Sequence, residues 1–172
     1  MKAKSQAFDL KSVPHLEKIL WFSRFSLFVV FFWFGFLKII HISPAESLIT
    51  HLHHQTIANW VSISFFVPFL GFVECVIGLL WLFPKFTRLA FALFGLQMIT
   101  TFLPLIYLPA DTWQDSFTLT LTGQYIVKNL VLIATALILY VFHIAAYPRA
   151  SQQSTRPSTW QLPLIDFRKL TM

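Results

Sequence analysis

The sequence predicts an all-α membrane protein, a four-transmembrane-helix bundle with both termini on the cytoplasmic side, and three observations lead there. Four stretches stay apolar over the ~20 residues that a helix needs to cross a hydrocarbon core of roughly 30 Å. The 172-residue chain is 56% hydrophobic and 12% charged, against roughly 45–50% and about 25% in ordinary soluble domains. Its Lys and Arg residues gather on one side of the four stretches, which is the feature that sets orientation.

Taken in order, residues 1–18 are polar and mixed in charge, with no cleavable signal pattern, so the first span is expected to remain as a signal anchor. The spans are predicted at Ile19 to Ile40, Trp60 to Phe83, Phe86 to Leu108 and Gln124 to Tyr147, giving a transmembrane domain over 19–147. Ser43-Pro44, Pro84-Lys85, Pro104 to Pro109 and Pro148-Arg149 mark their boundaries. The connection Pro84 to Phe86 is short, which makes the second and third spans antiparallel neighbours. Residues 148–172 read as a cytoplasmic tail, with Trp160 to Leu170 suited to the membrane surface because it mixes apolar and basic residues.

Orientation follows from the basic residues. Lys2, Lys4, Lys11, Lys18, Lys85, Arg88, Arg149, Arg156, Arg168 and Lys169 fall on one side, while the other has only Lys38 at its edge. The loops His41 to Asn59 and Pro109 to Gly123 therefore face outward. The net charge of +6 forms no extended basic face, which argues against nucleic acid as a partner. A single cysteine, Cys75, excludes an intramolecular disulfide and any CxxC motif.

Ionisable groups inside spans are the informative ones, because each costs at least about 2.5–3.5 kcal/mol at the helix centre. Glu74 lies near the middle of the second span, on the helical face of Gly71 and Gly78, where another helix can approach closely and keep the carboxyl away from lipid. Gln97, midway along the third span, reaches a similar depth. Two readings stand side by side: a protonated Glu74 bonded to Gln97 as interhelical glue, and a carboxyl that carries a proton or binds a ligand.

Lys38 and Lys128 sit at comparable outer levels of the first and fourth spans. Ser43-Pro44 lets the chain fold back and carry Glu46 toward both, so that Lys38, Glu46 and Lys128 form an outward-facing polar pocket with Glu74 and Gln97 as its floor. Snorkelling is the alternative for the lysines. Arg24 shares a face with Lys38 at the opposite depth and either anchors to headgroups or caps the pocket from below. His51 and His54 have the i, i+3 spacing that can place two imidazoles on one metal, but no companion ligand set accompanies them, so no metal is expected. His143 reads as an interface residue, since no second histidine stands at its depth.

The stretch Phe31-Phe-Trp-Phe-Gly-Phe-Leu-Lys38 followed by Pro44-Ala-Glu46 resembles the first-span signature of the DoxX-like superfamily. Gly71-Phe-Val-Glu74, Ile77-Gly-Leu-Leu80, Thr101-Phe-Leu-Pro and Leu121 to Leu132 extend the resemblance in order over about Arg24 to Leu139. Within that group it is most similar to the small bacterial inner-membrane proteins that include a reactive-chlorine-resistance protein. The resemblance implies an inner-membrane location and a redox or oxidant-stress role, with Lys38, Glu46, Glu74 and Lys128 matching polar positions of the pattern. Asn129 stands where an aspartate is frequent, and the first-loop histidines are not part of the pattern.

The expectation is thus a bundle that binds a quinone-like or other small ligand, with Lys38, Glu46, Glu74, Gln97, Lys128 and Asn129 as the binding residues. Two others compete: a non-catalytic accessory subunit of a larger membrane oxidoreductase, or a transporter of a small solute or protons that uses Glu74; besides the lipid bilayer, the expected partners are a membrane oxidoreductase subunit or further copies of the chain in a homo-oligomer. Autonomous electron transfer is not expected, because paired cysteines and depth-matched histidines are missing.

Overall fold

The computed structural model describes residues 14–146, and the predicted tail 148–172 and most of the predicted N-terminal segment lie outside them. Leu16 to Lys18 of that segment instead belong to the first helix. The helices are α1 (Leu16–Ile39), α2 (Glu46–Thr56), α3 (Ile63–Leu82), α4 (Thr87–Phe102), α5 (Pro104–Tyr107), α6 (Pro109–Thr112) and α7 (Leu121–Ala146). Four stretches are long and apolar enough to cross a membrane: Leu16–Ile39, Ile63–Leu82, Pro84–Tyr107 and Leu121–Ile144. The described residues are therefore all-helical, of the multi-pass membrane type, with span ends displaced by up to three residues from the hydropathy boundaries. Helix ends fray and turn signals blur them, so shifts of this size are ordinary.

The tight turn expected between the second and third spans is a single 3-10 turn, Pro84–Phe86, with proline at its first position. Proline has no N–H to leave unsatisfied there and its fixed φ starts the turn. α1 packs along α3, α3 along α4, and α7 closes the ring against α4 and α1. Consequently α1 starts and α7 ends at one end of the bundle, here the terminal end. α2, α5 and α6 cap the other, the loop end. Among the described residues the only β pairing is an isolated bridge between Trp113 and Leu119 in the last loop.

The α1–α3 pair is the closest in the molecule, and two glycines make it so. A Cβ added at Gly35 would lie 2.6 Å from the carbonyl oxygen of Gly71, and one at Gly71 would lie 2.5 Å from that of Gly35. Backbones can approach this closely only where neither residue has a side chain. Below this crossing, toward the terminal end, Leu27, Phe31, Ile77, Trp81, Phe94 and Leu139 fill the centre of the bundle. Phe94 holds Phe31 and Trp81 in tilted and edge contacts, with centroids 5.4 and 6.0 Å away. Outside, large apolar side chains such as Phe22, Trp33, Phe65, Phe72, Leu96 and Val131 are exposed around the spans. A surface of that kind is stable in hydrocarbon and not in water.

Candidate functional site

Glu74 stands eight residues before the end of α3 and Gln97 ten residues after the start of α4. At 1.5 Å per residue they lie about 12 and 15 Å from the terminal end, close to the middle of a ~30 Å core. Both are buried. The Gln97 amide Nε2 donates to Glu74 Oε1 at 2.9 Å, so the bond anticipated from their depths is present.

The other carboxylate oxygen, Oε2, accepts from Lys38 Nζ at 2.5 Å, with both side chains nearly inaccessible. Lys38 is the second-last residue of α1, yet its ammonium comes down to mid-depth. The reason is the direction of helical side chains, which lean toward the helix N-terminus. Nζ lies 3.5 Å from the carbonyl oxygen of Phe34, one turn back along α1. The Gly35–Gly71 crossing sits at the same level and lets the short span between the helices be bridged. Lys38, Glu74 and Gln97 thus tie α1, α3 and α4 together through one buried polar site.

The expected grouping of Lys38 with Glu46 and Lys128 does not form. The Glu46 carboxylate, at the start of α2, faces His41 Nδ1 at 3.2 Å. His41 adopts a left-handed backbone, φ 56°, which turns the chain out of α1 and sets Glu46 beside its imidazole. Lys128 is exposed, and its ammonium lies 4.5 Å above the Tyr125 ring. Asn129 Nδ2 donates to the carbonyl oxygen of Tyr125 in its own helix at 3.4 Å. Of the six candidate binding residues, three converge.

Of the histidines, His51 Nδ1 pairs with Asp111 Oδ2 at 2.9 Å, linking α2 to α6 across the loop end. His53 is buried, with Nε2 2.7 Å from the carbonyl oxygen of Val61. A carbonyl only accepts, so Nε2 carries the proton there. His54 meets the His53 ring edge-on. Among the described residues no three His, Cys, Asp or Glu side chains come together as a metal could use them.

Arg24 corrects another expectation. It is buried at 7% exposure, and its guanidinium donates to the carbonyl oxygen of Trp81 at 3.2 Å. That carbonyl belongs to the last turn of α3, where cations are favoured by the helix dipole. Lys38 and Arg24 therefore dock the same face of α1 onto α3 at two levels. The signal that could have shown this is Gly35, one turn before Lys38 on that face. No protein-family model, curated protein or solved structure matches the chain.

Proposed function

We propose that the chain is a DoxX-like protein of the bacterial inner membrane, with both termini cytoplasmic, that serves redox or oxidant-stress physiology by binding a quinone-like ligand at Lys38, Glu74 and Gln97. One observation carries the reading: a buried ion pair at mid-bilayer depth whose cation keeps a donor in reserve. An ammonium has three protons. Glu74 takes one, the distant Phe34 carbonyl faces another, and none of the described residues takes the third. A ligand carbonyl oxygen is a fitting acceptor for it, and a neutral carbonyl leaves the balance of the ion pair unchanged.

Gln97 complements this donor. Its Nε2 is committed to Glu74, and its side-chain oxygen accepts from none of the described side chains. A hydroxyl of the reduced ligand can donate there. A bound quinone would supply two-electron, two-proton chemistry. The protein's own part is to hold a donor and an acceptor at fixed depth and to keep water out. The grouping of basic residues at the terminal end supports the orientation, and intramembrane charge is retained where it has work to do. Transport through Glu74 is less well supported, because both of its oxygens are already engaged.

The test is extraction of bound lipophiles from protein purified in mild detergent, with quinone quantified by mass spectrometry. Wild-type protein is expected to retain quinone near one per chain, and Lys38→Met to lower retention about tenfold, the equivalent of ~1.4 kcal/mol. Oxidant survival of cells carrying each form should follow the same order. Equal retention in wild type and Lys38→Met would reduce the site to interhelical glue.

A further inference from the structure

The buried faces of the spans end in a second polar layer, at the terminal end of the bundle. On α1 the inward face runs through Arg24, Leu27 and Phe31, on α4 through Thr87, Ala90 and Phe94, and on α7 through Ala136, Leu139 and His143. These are the three- and four-residue steps of a single helix face. One turn beyond the apolar core they leave Arg24, Thr87 and His143, each buried, with buried Trp81 at the end of α3. Every span thus contributes one residue.

The charges at this layer have one sign. Arg24 donates to the Trp81 carbonyl at 3.2 Å, and Arg88 stands exposed at the second position of α4. These two guanidiniums are the charged groups of the described residues whose fields reach His143, and no carboxylate is among them. Glu17, the one acidic side chain of this end among the described residues, is exposed and seven residues, about 10 Å, further out on α1. Arg88 also stands at a helix N-terminus whose first turn holds no acidic residue, where the dipole disfavours a cation. Like charges gathered at the edge of a low-dielectric bundle repel one another, and an anion between them relieves the repulsion.

The level of the layer points to which anion. Ile63–Leu82 has 20 residues, about 30 Å of helix, which matches the hydrocarbon core. Trp81 and His143 each stand one residue inside the end of their spans, and Arg88 four residues inside. The layer therefore meets the boundary where the phosphates of one leaflet begin. A guanidinium offers five N–H donors in a flat fork that matches phosphate oxygens, more than one carbonyl takes up. Basic pockets between spans are seats of anionic headgroups for this reason. We propose that Arg24, Arg88 and His143 form a site for a phosphate group at the terminal end, where α7 meets α1 and α4. The phosphate of an anionic lipid reaches it from the leaflet, and inorganic phosphate from the water.

Full-length protein in nanodiscs of equimolar phosphatidylglycerol and phosphatidylcholine, released for native mass spectrometry, tests the site. Wild type is expected to keep one phosphatidylglycerol, favoured about tenfold over phosphatidylcholine. Arg88→Gln alters an exposed side chain and should reduce the preference about fivefold while the protein still elutes as a folded species. Arg24→Lys keeps the charge without the fork and should reduce it too. Lys85→Gln removes a charge of the same end that lies over the Phe86 ring, and should change the preference by less than about twofold. A second arm adds inorganic phosphate to protein in neutral detergent and follows Tm. A rise in wild type that Arg88→Gln lacks assigns the site to free phosphate; no rise, with phosphatidylglycerol retained, assigns it to the lipid. Equal retention of the two lipids without any effect of phosphate would overturn the proposal. Equal losses from Lys85→Gln and Arg88→Gln would overturn it as well, because they would mark diffuse surface charge.

Discussion

Replacing Gly71 with alanine probes whether the α1–α3 crossing holds the polar site together. The new methyl would stand 2.5 Å from the carbonyl oxygen of Gly35, 2.9 Å from Lys38 Cβ and 3.1 Å from Ile39 Cγ1. Ordinary contact begins near 3.4 Å, so the helices must part by about 0.9 Å, and the nearest obstacle is backbone that cannot swing aside. The Lys38–Glu74 bond crosses that same gap at 2.5 Å. Stretched by the same amount it reaches about 3.4 Å, beyond the ~3.2 Å limit of a good N–H···O bond. Overpacking costs about 1–3 kcal/mol and loss of a charged hydrogen bond about 1.5–3 kcal/mol. With partial relaxation, Gly71→Ala should lose on the order of 2–4 kcal/mol of stability and release bound ligand. Reversible unfolding in mixed micelles reads the first effect and extraction of lipophiles the second. Gly95→Ala is the matched control: it adds the same methyl where nothing lies within 4 Å, and should be neutral or gain up to about 1 kcal/mol. If the two variants unfold alike, the crossing does not control the site and the reasoning fails.

Lys38→Met alone strands the Glu74 carboxylate and should cost about 3–5 kcal/mol, whereas Lys38→Met combined with Glu74→Gln should recover most of it, because removing both charges removes the penalty. Strictly additive losses in a double-mutant cycle would deny the pairing. Lys128→Met should leave both stability and ligand retention within error of wild type, since the ammonium is exposed and only lies over Tyr125; a large loss in retention would restore it to the site. Cysteines introduced at Gln114 and Ser151 should react with an impermeant reagent in intact cells at the first position and not at the second. Labelling at Ser151 would invert the proposed orientation.

The four spans were legible because hydropathy depends on composition over twenty residues, which survives any detail of packing. The depth match of Glu74 and Gln97 was legible too, since a three-residue turn leaves little freedom in the register of α3 against α4. The backbone position of Lys38 predicts an outer level for its charge, whereas its ammonium meets Glu74 at mid-depth. A lysine stem is long, and its lean toward the helix N-terminus moved the charge inward by about one turn. The register of α1 against α3 depends on Gly35 meeting Gly71, a contact between residues far apart in sequence that periodicity does not reveal. Ser43-Pro44 predicts a fold-back that carries Glu46 toward the lysines, but its carboxylate meets His41 instead. The left-handed turn at His41, which gives it a nearer partner, carries no glycine to announce it.

Arg24 and Lys38 both dock onto α3, and the order of synthesis gives that arrangement a cost in time. Lys38 meets a residue 36 positions later in the chain, and Arg24 one 57 positions later. At translation rates of about 5–20 residues per second, α1 waits on the order of seconds before its counterpart emerges. During that interval the two cations must reach toward opposite faces of the bilayer, one from each end of the helix. Arrival of α3 draws both inward onto one seam. A chain stalled between α1 and α3 should therefore carry both cations without their α3 partners and be unable to close the bundle.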